Sequence, residues 1–213
     1  MRAFVRAEDD RGWYAALGGS GDGLMLVELD IPLSEVRPGP IHLLNRYWED
    51  KRNGRALPRW LDFDPADLKP ILPFMFVVGI ENQPFRVHYR LVGTVASELR
   101  GPLTGRYLDQ IEVLPPDVRT RLIEEYRLAC QRRRPTFSRD VLCLRSEREL
   151  TFFGSIYPLS TDGITVDRCV CVEDYGDLIG LRGYGGQSKG GYRIPEGHRG
   201  GGLLERSLPL ASQ

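Results

Sequence analysis

Residues 74–93 read FMFVVGIENQPFRVHYRLVG, and the change of rhythm inside them decides the fold. Phe74 to Ile80 is an unbroken apolar run, too short for a typical helix, and suits a strand covered on both sides. Glu81-Asn82-Gln83-Pro84 has turn composition, so a hairpin follows. Beyond the turn, Phe85, Val87, Tyr89 and Leu91 alternate with Arg86, His88 and Arg90, which gives the second strand one core face and one wet face.

Downstream of Gly93 the spacing turns helical at Val95, Ala96 and Leu99, then breaks at Gly101-Pro102-Leu103-Thr104-Gly105, a loop with two positions open to positive φ. Pro115-Pro116-Asp117 opens the longest helix and Pro135 stops it near Arg133. Val118, Leu122, Tyr126 and Ala129 form its apolar stripe, Arg119, Glu124, Arg127 and Gln131 lie elsewhere, and Asp117 with Arg121 has ion-pair spacing. Three further strands are expected at 137–144, 150–157 and 164–172, the last two joined by an Asp162-Gly163 hairpin turn. Upstream, Ile41, Leu44 and Trp48 share a helical face with Leu43 and Tyr47 beside it, and Gly54 ends that helix. Asp64 and Pro65 open a second, short helix that runs through Ala66, Leu68 and Ile71 to Pro73. Two strands, several helices and three strands with short connections make an α+β fold.

The ends differ from this middle. Residues 1–40 read as a partly disordered extension, in which Leu24 to Leu33 suits either a strand or a short helix. The glycine-rich stretch from residue 178 to 213 has the composition of a flexible tail. The domain is therefore set at residues 41–177.

Of the 213 residues, 29 are Lys or Arg and 29 are Asp or Glu, so no global field draws the chain to nucleic acid or an anionic membrane. A hydrophobic share of 41% is enough for a packed body. No run approaches the ~18 apolar residues of a bilayer span or the shorter core of a signal peptide, which makes the expected location the cytoplasm. Cys130, Cys143, Cys169 and Cys171 are then expected as thiols.

The stretches Leu57-Pro58-Arg59, Asp62-Phe63-Asp64-Pro65-Ala66-Asp67-Leu68, Tyr89-Arg90-Leu91-Val92-Gly93-Thr94 and Leu103-Thr104-Gly105-Arg106-Tyr107-Leu108, taken in this order, resemble the PAS domain family in its stand-alone bacterial branch. The resemblance implies a five-stranded antiparallel sheet with helices packed on one face, holding a small ligand or simply a packed core. It implies a sensory or signalling module without catalysis. Light-sensing relatives carry a flavin-reactive cysteine on the helix after the second strand, and Thr94 to Gly101 has none. Haem-binding relatives supply a histidine from the helical side, and residues 94–134 contain none. The cofactor is therefore left unknown.

A mostly apolar ligand site is expected within Phe76, Tyr89, Leu91, Leu108, Ile111, Tyr126 and Phe152, with Tyr89 and Tyr126 as the orienting groups, because a buried hydroxyl requires a partner. The alternative is a purely structural protein-interaction domain with a filled core. Partners expected besides a small molecule are a second copy, through residues 41–53, and a downstream signalling protein. Cys169 and Cys171 share one strand face about 7 Å apart, and read as structural thiols because no second ligand pair stands at metal spacing. His88 between two arginines reads as a solvated histidine rather than a pH switch. Arg132-Arg133-Arg134 suits the negative end of the long helix. Neither a zinc-protease nor a kinase motif is present, and Glu124-Glu125 reads as a solvated pair.

Overall fold

A computed structural model describes residues 2–6, 24–112, 114, 116–143 and 149–176. The glycine-rich stretch expected as a tail, and Cys143 and Asp117 as side chains, lie outside the described residues. The strands are β1 Arg2–Arg6, β2 Leu24–Leu29, β3 Met75–Asn82, β4 Phe85–Val92, β5 Thr136–Cys143, β6 Glu149–Leu159 and β7 Arg168–Asp174. They form one antiparallel sheet in the order β1-β2-β5-β6-β7-β3-β4. The α+β, PAS-like architecture read from the sequence is the one observed. The sheet has seven strands where five were expected, because Leu24–Leu29 pairs with β5 and Arg2–Arg6 extends that edge.

Helix α1, Pro40–Arg52, starts with proline in its first turn and ends at Asn53 in the left-handed region, φ 46°, followed by Gly54 at φ 75°. Its apolar face lies on the sheet: Tyr157 Oη donates to Ile41 O at 2.9 Å and Trp48 Nε1 donates to Pro158 O at 2.9 Å. Ile41, Leu44, Tyr47 and Trp48 are all at or below 2% exposed. The surface expected to pair with a second copy is therefore buried against the chain's own strands. Tyr157 and Ile156 are consecutive, so their side chains leave opposite faces. Ile156 pairs with Cys171, whose Sγ meets Tyr126 Oη of the long helix α3, Pro116–Arg132, at 3.4 Å. Helices thus cover both faces, α1 on one and α3 on the other, which corrects the expectation of helices on one face only. This double cover explains the unbroken apolar run of β3, in which Met75 to Val78 are all buried.

Several local expectations are corrected. Residues 64–71 form successive turns rather than a helix, with Asp64 Oδ1 accepting from Ala66 N at 2.8 Å, and a 3-10 turn follows at Leu72–Phe74. Pro70 and Pro73 remove the N–H groups that a continuous helix would need. The Asp162-Gly163 hairpin is instead an eight-residue connection, 160–167. Asp162 Oδ1 organises it, accepting from Ser160 Oγ, Ile164 N and Thr165 N at 2.7 Å each, and these bonds hold its carboxyl well below the usual range.

Two backbone features set the floor of the α3 side. Gly93 caps α2, Thr94–Arg100, so close to the Leu72 and Pro73 backbone that a Cβ would stand 2.2 Å from Leu72 O. On β4, Val77 pairs with Leu91 and Val78 with Tyr89, which leaves Arg90 as the extra residue of a bulge. The bulge reverses the alternation beyond Tyr89.

Candidate functional site: a charged cavity under α3

Strand parity decides which side chains meet α3. From β3 and β4 these are Phe76 and Tyr89, from β5 Ser138 and Asp140, from β6 Gly154 and Ile156, and from β7 Cys171 and Glu173. Helix α3 adds Arg121, Leu122, Glu125 and Tyr126, α2 adds Arg100 at its end, and the connecting segment adds Leu103, Ile111 and Leu114. Together with the Ser155 backbone they enclose a cavity of about 60 Å³, room for a molecule of a few heavy atoms. Gly154 keeps the space open, since a Cβ there would lie 2.7 Å from Ser138 Oγ.

Phe76, Tyr89, Ile111 and Tyr126 of the expected site line this cavity. Leu91 does not: the bulge turns it to the other face, where it is 47% exposed. Leu108 is fully buried in the 3-10 turn Leu108–Gln110 and Phe152 lies beneath Arg100, 5.4 Å from guanidinium carbon to ring centre, and neither lines the cavity.

The lining is also far more charged than the apolar site expected. Arg100, its side chain 4% exposed, donates from Nε to Glu173 Oε2 at 2.8 Å, and Tyr175 Oη donates to the same oxygen. Burial, the largest single cause, would lower the Arg100 pKa, but Glu173, Tyr175 and Asp140 together outweigh it and the net shift is upward. Arg121 Nη1 donates to Glu125 Oε1 at 3.2 Å and stands 3.5 Å from Asp140 Oδ1, without forming a hydrogen bond to it. Asp140 is 8% exposed, and both its Oδ1 and Arg121 Nε are buried without a protein hydrogen-bond partner.

Desolvation pushes the Glu125 carboxyl up to about 8, opposed by Arg121 and reinforced by Asp140 and Glu173. The same cause lifts Asp140 to about 6 against the pull of Arg121 and Arg100. Burial raises the Tyr126 hydroxyl and Cys171 thiol, so both stay protonated and neutral at physiological pH. Among the described residues no three His, Cys, Asp or Glu side chains are grouped to hold a metal ion.

Glu125 is the main correction to the solvated reading of Glu124-Glu125: the Glu124 side chain is 59% exposed and that of Glu125 only 12%. Its signal was present, since Leu122, Glu125 and Ala129 follow the three-then-four spacing of the buried stripe. His88 is corrected as well, for its ring is half-buried and stacks on Tyr107 with centroids 4.4 Å apart. At the end of α3, Arg132 pairs with Asp30 at 2.5 Å.

Residues 36–133 match the family model described as PAS domain, a span that ends with α3, ahead of strands β5 to β7. The match supports a PAS domain in this chain. No curated protein and no solved structure matched. No described helix is long and apolar enough to cross a membrane.

Proposed function

We propose that this PAS-type unit is a sensory module whose input is a small molecule seated under α3, and whose output passes to a separate signalling protein rather than to catalysis of its own. The observation that supports this best is the pair Asp140 Oδ1 and Arg121 Nε, a buried acceptor and a buried donor on two residues that line one cavity, neither with a hydrogen-bond partner in the protein. A buried polar group left unpaired costs about 1–3 kcal/mol, so a core evolved only for packing has reason to avoid both. A site for a polar ligand needs such groups, set in a mostly apolar wall. Phe76, Leu103, Ile111 and Leu122 supply that wall. Helix α3 and strand β7 both contribute to the lining, so occupancy acts on the contact between helix and sheet.

Thermal denaturation with a library of small polar metabolites tests the reading, with Leu122→Trp as the cavity-filled control. A ligand is expected to raise the wild-type melting temperature by at least 2–4 °C, the shift that about 1 kcal/mol gives in a chain of this size, and to leave the variant unmoved. If nothing in the library shifts the wild type and nothing co-purifies in a native mass spectrum, the sensory reading yields to an interaction domain with a filled core.

A further inference from the structure

Counted as ions, the charged side chains around the cavity are two cations, Arg100 and Arg121, and three carboxylates, Glu125, Asp140 and Glu173. Arg100 donates to Glu173, whose same oxygen also accepts from Tyr175. Arg121 is the cation in contact with the other two carboxylates, Glu125 at 3.2 Å and Asp140 at 3.5 Å. We infer that the ligand is a small organic cation, an amine with a compact apolar body, whose ammonium is held by Asp140 and Glu125. This rests on the reading of the cavity as a ligand site and names the class of molecule it takes.

Four observations converge on that class. Asp140 Oδ1 is buried without a hydrogen-bond partner, its ion pair with Arg121 being long at 3.5 Å, so it accepts an N–H from the ligand without breaking a hydrogen bond of the protein. Tyr89, Tyr126 and Phe76 present aromatic side chains to the same space, and ring faces attract a desolvated cation. The volume of about 60 Å³ admits only a few heavy atoms. Two carboxylates, Glu125 and Asp140, line the same space, and one ammonium has N–H groups enough to donate to both. Arg121 Nε, also unpartnered, is free to donate to a hydroxyl or other oxygen on the ligand.

Binding of this kind displaces a proton. Glu125 faces Arg121 on its own helix, Asp140 on β5, Glu173 on β7 and Arg100 on α2, and its burial among them makes it retain its proton at neutral pH. An ammonium group arriving beside it takes the place of that proton. Affinity should therefore rise about tenfold per pH unit from pH 6 to 8 and level off above.

Calorimetric titration of the intact chain with isobutylamine, isobutanol and isobutyrate at pH 6, 7 and 8 provides the test. The amine is expected to bind with release of up to one proton, tightening about tenfold per pH unit, while the alcohol and the carboxylate bind at least tenfold more weakly. Glu125→Gln should flatten the pH dependence and Asp140→Asn should weaken the amine at least tenfold; should either variant fail to fold, the wild-type proton release carries the same test. Preferential binding of isobutyrate would overturn the cation class while keeping the cavity as a ligand site. Amine binding that survives in Leu122→Trp would also overturn it, as attachment elsewhere. If none of the three probes binds, the cation class falls, and the cavity reading falls with it only if the metabolite library also fails.

Discussion

On one side of β6 and β7, Tyr157, Val170 and Val172 lie under α1, all at or below 1% exposed, with Ile41, Leu44 and Trp48 packed in the same layer. One residue along the same strands, Gly154, Cys171 and Glu173 face α3 across a cavity bordered by Arg121, Glu125 and Asp140. The α1 layer pairs its polar atoms: the Trp48 indole and the Tyr157 hydroxyl each reach a backbone carbonyl. In the α3 layer Arg121 Nε and Asp140 Oδ1 are buried without a protein hydrogen-bond partner, and His88 Nδ1 and Asp167 Oδ1, outside the cavity lining, are two more such atoms among the described residues. Strand alternation makes two interfaces from one sequence, one packed under α1 and one bordering a charged cavity under α3.

Replacing Trp48 with Ala attacks the side packed under α1, and should cost about 4 kcal/mol, the range for deleting a large buried aromatic. Urea denaturation would measure it, and a loss under about 1 kcal/mol would mean that α1 is not seated on the sheet as described. Tyr157→Phe removes only the hydroxyl donated to Ile41 O and should cost about 1 kcal/mol by the same assay. Leu91→Ser should fall within about 0.5 kcal/mol of wild type, because the bulge leaves Leu91 at the surface. A large loss there would restore Leu91 to the core face and remove the bulge from the account.

The sequence carried the fold further than it carried the site. The hairpin at residues 74–93, the helix stripe from Val118 to Ala129 and the closing strands were legible because each rests on a periodicity of neighbouring residues. Leu91 was misplaced for the same reason: strict alternation holds until one extra residue, Arg90, shifts the register, and nothing in Arg86-Val87-His88-Tyr89-Arg90 marks the shift. The charged lining escaped because Arg100, Arg121, Glu125, Asp140 and Glu173 come from α2, α3, β5 and β7, and only the tertiary fold brings them together. Glu125 was the one of them that spacing alone pointed inward.

The contrast between the two faces is tested most directly by stability against pH, measured as the urea midpoint of wild type and Glu125→Gln from pH 5 to 9. In the folded chain the Glu125 carboxyl is held at about 8, whereas in the unfolded chain it returns to about 4.3. The folded state therefore binds the extra proton between these values. The stability linked to it is full below about pH 4.3, falls as pH rises, and is gone above about 8, with a slope of at most about 1.4 kcal/mol per pH unit. Groups away from the cavity titrate alike in both proteins, so the difference reads this carboxyl together with Asp140 and Arg121, which feel its charge. The wild-type midpoint is predicted to fall from pH 5 to 8 and then level relative to the variant, which should be the more stable of the two at pH 8. Parallel curves, or a wild type that gains on the variant as pH rises, would mean that Glu125 is not held as a buried acid under α3, and the charged cavity would lose its basis.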